Sequence, residues 1–352
     1  MAKRSNITLR SELEKVAPGT ELREGIDSII SSRTGALIVM GDERNVEVLC
    51  NGGVDLDLLF TPQHLVELAK MDGAIILDDD CLHISRANVH LVPDHTLQTN
   101  ETGMRHRTAE RVSRQTKALV ISISQRRDVV TLYLGGERII LQDIDVVLAK
   151  ANQALQTLQR YRTRLDQVLE RLTLLEFDDL VTVEDVAEAV SRFEMVRRVA
   201  DEVSRYITEL GSEGRLVRMQ AEELTASVDD LYALLLRDYS KDPMPRKVSS
   251  LRGRLSKLTP DQFLEPSLVA EELGVSSDSR GAEDRIEARG YRVMRRIPML
   301  PSTVVARIVE RFGTVSSILQ ASEEDLDDID GVGSRRANAI HEGLRRMKNS
   351  LS

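Results

Sequence analysis

The chain has 352 residues, enough for two or three domains of roughly 100–200 residues each. Hydrophobic residues make up 41% and charged residues 30%, which excludes a disordered chain, and 48 Lys and Arg against 57 Asp and Glu give a net charge of −9 that argues, as an average, against a nucleic-acid partner. Only Cys50 and Cys81 occur, which excludes a disulfide scaffold and a thiolate zinc site, and neither a signal-type N-terminus nor a membrane-length apolar run is present, so a reduced, cytoplasmic protein is expected.

Residues 1–145 alternate strands and helices. Gly35–Met40, Ala74–Leu77 and Ala118–Ile123 are short apolar runs of buried-strand length. Thr61 and Pro62 open a helix running to about Lys70, as N-cap and first helical residue. A second helix is expected from Gly103 towards Lys117. Val129–Leu134 and Arg138–Leu141 flank Gly135-Gly136, whose tolerance of positive φ makes a hairpin. The fold class is an α/β N-terminal domain with a mixed sheet.

From Val147 the pattern changes. Val147, Ala151, Ala154, Leu158, Tyr161, Leu165, Val168, Leu172 and Leu175 step by four and three, the seam of a helix facing a partner helix. Further helices are expected over Val183–Leu210 and Arg215–Tyr239, with Gly211 and Gly214 at the break. No inward-facing cluster of His or carboxylates is evident, so residues 146–285 form an all-α helical spacer, with Ser240–Gly281 a loop carrying one or two short helices. Residues 286–352 are a small C-terminal helical domain.

Two segments of the first domain carry chemistry. Met71-Asp72-Gly73-Ala74 places a carboxylate beside a glycine at the start of a buried strand, suited to a hard divalent cation and to close approach of a ligand to the backbone. On its own, an Asp-Gly turn of this kind is more often structural. Glu101-Thr102-Gly103-Met104-Arg105-His106-Arg107-Thr108 leads into a helix whose first turn is cationic, against the helix dipole. A bound polyphosphate would compensate, since free backbone N–H groups, the dipole and the guanidinium groups all favour an anion. Pairing with Glu101 and Glu110 is the alternative. Asp78-Asp79-Asp80 and Asn51-Gly52-Gly53 read as turns, and Cys50 and Cys81 as small buried residues.

Asp72-Gly73-Ala74 followed some thirty residues later by Arg105-His106-Arg107, with Gly35-Ala36-Leu37 upstream and Ser124-Gln125-Arg126-Arg127 downstream, resembles the diadenylate cyclase (DAC) domain family. Together with the helical and C-terminal parts, the resemblance covers essentially the whole chain. It implies condensation of two ATP molecules into cyclic di-AMP with release of two pyrophosphates. It further implies that Asp72 binds Mg²⁺ or Mn²⁺ and helps accept the hydroxyl proton, and that Gly73 and Ala74 let the nucleotide approach the backbone. Arg105, His106, Arg107 and Thr108 would hold phosphates, Ser124 and Arg127 would assist, and Leu91 would contact adenine through its backbone. The family commonly has Thr where this chain has Met104, which leaves the Met104 backbone N–H to serve. The implied assembly is a homo-octamer with DAC domains face to face.

Ile329-Asp330-Gly331-Val332-Gly333-Ser334-Arg335-Arg336 resembles a helix-hairpin-helix motif, whose turn offers backbone N–H groups to a DNA phosphate without reading bases. Ile297-Pro298-Met299-Leu300-Pro301 is a degenerate partner hairpin. Residues 286–352 hold 11 basic and 9 acidic residues, net +2, while Gly331–Lys348 alone stands at +4. Sequence-independent, salt-sensitive binding of DNA, by resemblance branched DNA, is expected through Gly331 to Arg336. The rival reading is a DNA-structure-binding protein whose α/β domain senses nucleotide without turnover.

Overall fold

The computed structural model describes residues 9–41, 44–125, 129–275, 284–298 and 300–351. The chain forms two compact units, Met1–Asn152 with Ser204–Arg218, and Gln153–Val203 with Met219–Ser352. No described helix is long and apolar enough to cross a membrane.

The first unit runs α1 (Leu9–Lys15), α2 (Glu21–Ser31), β1 (Ala36–Met40), α3 (Arg44–Glu47), β2 (Cys50–Asn51), β3 (Val54–Leu59), α4 (Pro62–Leu68), β4 (Ala74–Leu77), β5 (His83–Leu91), α5 (Met104–Thr116), β6 (Leu119–Ser124), β7 (Val129–Leu134) and β8 (Glu137–Ile140). Local chemistry sets the helix starts. Thr20 caps α2 by accepting from Arg23 N–H, and Thr61 caps α4 from His64 N–H with Pro62 at the first position. Both follow the usual rule of an oxygen acceptor at the helix start; α5 does not.

The strand order is β2-β5-β4-β1-β6-β7-β8, with β3 against β5. β1 and β4 are parallel and the other pairings antiparallel, so the sheet is mixed as expected. The two-residue period of a strand sends Ile38 and Met40 of β1 to one face, with Leu22, Ile26, Ile29 and Leu65 of α2 and α4. Leu37 and Val39 face the other way, with Ala109 and Val112 of α5. Both faces are covered, and each fully buried Ile or Leu contributes roughly 1.5–3 kcal/mol relative to exposure. The β7–β8 hairpin turns through Gly135 and Gly136 at φ 57° and 91°, as the sequence requires.

The helices that follow are α6 (Ile144–Asp178), α7 (Val183–Leu210), α8 (Arg215–Thr225), α9 (Val228–Tyr239), α10 (Pro245–Leu255), α11 (Pro266–Leu273), α12 (Tyr291–Arg295), α13 (Ser302–Phe312), α14 (Val315–Gln320), α15 (Glu323–Asp327) and α16 (Gly333–Leu351). The α6 seam is buried from Val147 to Leu172, apart from Tyr161, which is partly exposed. One expectation needs correction. The helix expected over Arg215–Tyr239 is two helices, because Ser227 takes a left-handed φ of 63° between them. Over its described part Ser240–Gly281 holds the short helices expected there, α10 and α11, each opened by a proline at its first turn.

A second correction concerns the interior of the helical unit, which does hold an ionic cluster. Arg292 is buried and donates to Glu176 Oε2 at 2.5 Å and Thr173 Oγ1 at 2.9 Å. Tyr239 Oη donates to Glu176 Oε1 at 2.6 Å. The buried Asp238 carboxylate accepts the backbone N–H groups of Gly290, Tyr291 and Arg292 at 2.8, 2.6 and 3.0 Å. Burial first, and Glu176 second, push Asp238 up to about 7 against the pull of those donors. The cluster was invisible in the pattern because its members lie up to 119 residues apart in sequence and are drawn from α6, α9 and α12.

Removing one partner of a buried pair strands the other charge. Arg292→Ala should therefore destabilise this unit by about 3–5 kcal/mol in urea unfolding. The Arg292→Ala and Glu176→Ala losses should be strongly non-additive in a double-mutant cycle.

Candidate active site

Strand register gathers distant segments at one end of the sheet. Leu37 pairs with Ala74, Ala36 with Ile123, Ala74 with Val89 and Thr131 with Ile140. The starts of β1, β4 and β7 thus meet the ends of β5, β6 and β8. α5 begins at the same edge. The resulting cleft, about 610 Å³, is lined by Asp72, Glu101–His106, Ile123–Gln125, Val129, Thr131, Arg138 and Ile140.

α5 departs from ordinary helix starts. Its N-cap is Gly103, with no side-chain acceptor, and its first turn holds no acid. Arg105 reaches Asp72 at only 3.4 Å, with the carboxylate fully exposed. Arg107 is exposed and donates to the Thr102 carbonyl at 3.2 Å. The alternative of pairing with Glu101 and Glu110 is not what forms, since Arg138 takes Glu101 at 2.7 Å and Arg114 takes Glu110 at 2.6 Å. Among the described residues, the helix dipole and the two cations of the first turn meet no protein acid other than the long contact to Asp72.

His106 is held from behind. Tyr133 Oη donates to Glu101 Oε1 at 3.0 Å and lies 2.9 Å from His106 Nδ1. Because the phenol proton goes to the carboxylate, Nδ1 is the donor in the second contact. Burial opposes ionisation of Glu101, but the hydrogen bonds from Arg138 and Tyr133 outweigh it and hold the carboxyl below its usual range. Burial, then Glu101, raise the Tyr133 phenol, so it stays protonated.

Of the expected residues, Asp72, Met104, Arg105, His106 and Ser124 line the cleft. Gly73, Ala74 and Leu91 lie at the same sheet end through β4–β5 pairing but do not line it, and neither do Arg107 and Thr108. Arg127, together with Arg126, lies outside the described residues. Gly73 has a packing reason of its own: a Cβ there would sit 2.5–2.8 Å from the backbone of Asn88 and Val89, so strand packing already demands glycine. Gly35 is the reverse. A side chain there would collide with the Arg105 guanidinium and lie 3.0 Å from the Ile123 carbonyl, so this glycine holds open the seat of Arg105. Tyr133, Glu101 and Arg138 were missed as a group. The available signal was a tyrosine on the same strand face as Thr131, two residues away.

Among the described residues no group of three His, Cys, Asp or Glu could hold a metal. Cys50 and Cys81 are half-buried, not buried as expected, and burial raises both thiols, Cys81 to about 12.

Gly35→Ala should displace the Arg105 guanidinium. With pyrophosphate as the probe, affinity should fall about tenfold, the scale of one lost charge-assisted hydrogen bond. Arg105→Gln should cause a similar loss, and the double variant little more, as read by calorimetry.

Comparison with known proteins matches residues 23–138 to the family described as DisA bacterial checkpoint controller nucleotide-binding, and residues 141–281 to the DisA bacterial checkpoint controller linker region. The chain is 52% identical to the DNA integrity scanning protein DisA of Symbiobacterium thermophilum, over 96% of this chain and 95% of that one. It is 47% identical to the protein of that name from Carboxydothermus hydrogenoformans, over 97% of each chain. Against that from Streptomyces coelicolor it is 44% identical, over 97% of this chain and 92% of the other. With this likeness along nearly its full length and the cationic helix start of α5 opening onto Asp72, the chain belongs to the DisA family and is a nucleotidyltransferase of the diadenylate cyclase class.

Proposed function

We propose that the chain condenses two ATP molecules into cyclic di-AMP with release of two pyrophosphates, and that DNA bound at the C-terminal hairpin modulates this output. The observation that carries the catalytic half is the convergence of Asp72, Arg105, His106 and Ser124 on one cleft where a helix start lacks its usual acids. In each of two steps a ribose 3′-oxygen attacks the other nucleotide's α-phosphorus. The new O–P bond forms as the bond to pyrophosphate breaks, and the hydroxyl proton leaves. Such chemistry rests on positioning and charge neutralisation.

Arg105 and His106 would receive phosphate oxygens together with the backbone N–H groups that Gly103 leaves uncapped at Met104 and Arg105. Arg107, Thr108, Ser124 and Arg127 complete the phosphate set carried by the family resemblance. Gly73, Ala74 and Leu91 would act through their backbone at the sheet end, Leu91 towards adenine. Asp72 fits a hard cation: one exposed carboxylate, completed by substrate phosphates, is how Mg²⁺ or Mn²⁺ is commonly held. Such an ion would neutralise charge at the attacked phosphate, while Asp72 helps accept the hydroxyl proton.

One cleft holds one nucleotide, so two domains must face each other. Met104 and Ile140, both lining the cleft, are 78% and 43% exposed. A facing domain would cover this apolar rim. We place the protein as an octamer on the family resemblance, with α6 spacing the protomers. At the other end, Gly331 and Gly333 take φ of 88° and 55°, Val332 is buried, and Ser334, Arg335 and Arg336 are exposed. That leaves a backbone turn with flanking cations for a DNA phosphate.

Incubation with ATP and Mn²⁺, with products resolved by chromatography, should yield cyclic di-AMP. ATP bound but unconverted would favour the nucleotide-sensor reading. Asp72→Asn should lower the rate by about 10²–10³ without changing the fold or oligomer, and chelation of the divalent cation should act alike. For the hairpin, Arg335→Gln with Arg336→Gln should lower the slope of log affinity for junction DNA against log salt by about 1–2. Point substitutions are the better test here, because a truncation ahead of Arg292 would break its buried pair with Glu176.

A further inference from the structure

The second unit contains a cationic cavity that neither the active site nor the hairpin turn uses. It encloses about 460 Å³ between α9, α10 and the α12–α13 segment. Arg237, Arg252 and Arg295 line it from three different helices, with Asp230 as the one acid and Ser302 at the start of α13. Three guanidinium groups converging on one space repel each other unless acids or a bound anion compensate.

The acids do not suffice. Arg252 is engaged by Asp229. Arg237 has no acidic partner among the described residues; its Nε donates to the Pro243 carbonyl at 3.2 Å, and its guanidinium stacks 3.8 Å from the Tyr291 ring centroid. That stacking fixes the plane of the fork and leaves its outer donors for a ligand. Arg295 is exposed and likewise has no acidic partner among the described residues. A planar, preoriented fork beside a second arginine is the arrangement that suits phosphate oxygens.

The cavity and the hairpin turn both touch α13, the cavity through Ser302 and the turn through Val304 and Arg307. A Cβ on Gly331 would lie 3.4 Å from Val304 Cγ2, and Arg307 donates to the Asp330 carbonyl at 2.6 Å. Ser302, at the cavity, and Val304, under the hairpin, both belong to the first turn of α13, on different faces of it, so that helix separates the two. The degenerate segment before α13 lacks the glycines of its partner.

We propose that this cavity is a second phosphate-binding site, taking a backbone phosphate of the DNA strand held at the hairpin; this rests on the DNA-binding reading above. Residues of the spacer helices thereby touch the DNA directly, so the DNA footprint extends beyond the C-terminal domain.

The test uses the full chain and junction DNA. Arg295→Gln, whose exposed side chain makes it safe for folding, should lower the log affinity against log salt slope by about 1, and Arg237→Gln should add a comparable decrement. Arg237→Lys, which keeps the charge, should retain the slope. Cyclic di-AMP formation without DNA should be unchanged in all of them. If Arg335→Gln with Arg336→Gln lowers the slope while the Arg295 and Arg237 variants do not, the hairpin reading stands and the cavity proposal is overturned. If the unaltered chain shows no salt-dependent DNA binding, the hairpin reading itself fails. With inorganic phosphate as probe, weaker binding by Arg295→Gln at an unchanged DNA slope would assign the cavity to a free phosphate and overturn the DNA assignment.

Discussion

Cations at the positive end of a helix repel the dipole they sit on, and α5 begins with Arg105, His106 and Arg107 in its first turn. Much of the first unit is arranged so that this turn stays open. Gly103 contributes no capping oxygen, and Gly35 has no side chain where the Arg105 guanidinium rests. The nearby acids are taken up elsewhere, Glu101 by Arg138 and Tyr133, and Glu110 by Arg114. The structure thus tolerates a locally unfavourable arrangement that a bound anion would relieve. A site that is strained without ligand and satisfied with it is what positioning chemistry requires.

The helical unit solves a different electrostatic problem. Arg292 and Glu176 are buried with side-chain exposures of 2% and 0%, so each charge depends on the other and on Thr173 and Tyr239. A buried pair adds little net stability over apolar packing, but it penalises any arrangement that separates its members. Here it fixes the register between α6, α9 and α12, the last of which Asp238 also caps. The arginine-lined cavity lies next to the same join, since Arg237 directly precedes Asp238 in α9 and stacks on Tyr291 of α12.

A whole-chain charge hides how unevenly charge is distributed. A net of −9 argued against nucleic acid, yet Gly331–Lys348 stands at +4. Arg237 and Arg252 gather with Arg295 from outside that segment, so even the finer partition by sequence misses them. Association responds to the local field over about one Debye length, roughly 10 Å at 0.1 M salt. Charge per stretch of sequence approximates that field only where the chain is locally compact.

Local and periodic features were legible without coordinates. The sheet strands, the caps at Thr61 and Pro62, the Gly135-Gly136 hairpin, the α6 seam and the cationic start of α5 all follow from nearest-neighbour sterics and hydrogen bonding. The motif pair Asp72-Gly73-Ala74 and Arg105-His106-Arg107 was legible for the same reason, as short runs of unusual chemistry. What tertiary structure decided are the relations across many residues. Strand register brings Gly35, Asp72 and Arg105 together, Tyr133 links Glu101 to His106, and burial joins Glu176, Asp238 and Arg292. Gly73 shows the division at a single residue: the sequence marks a glycine, and only the approach of the Asn88 backbone says why it must be one. Local patterns carry the energy of neighbours along the chain, whereas desolvation and charge pairing depend on which distant groups the packed chain places within a few ångströms.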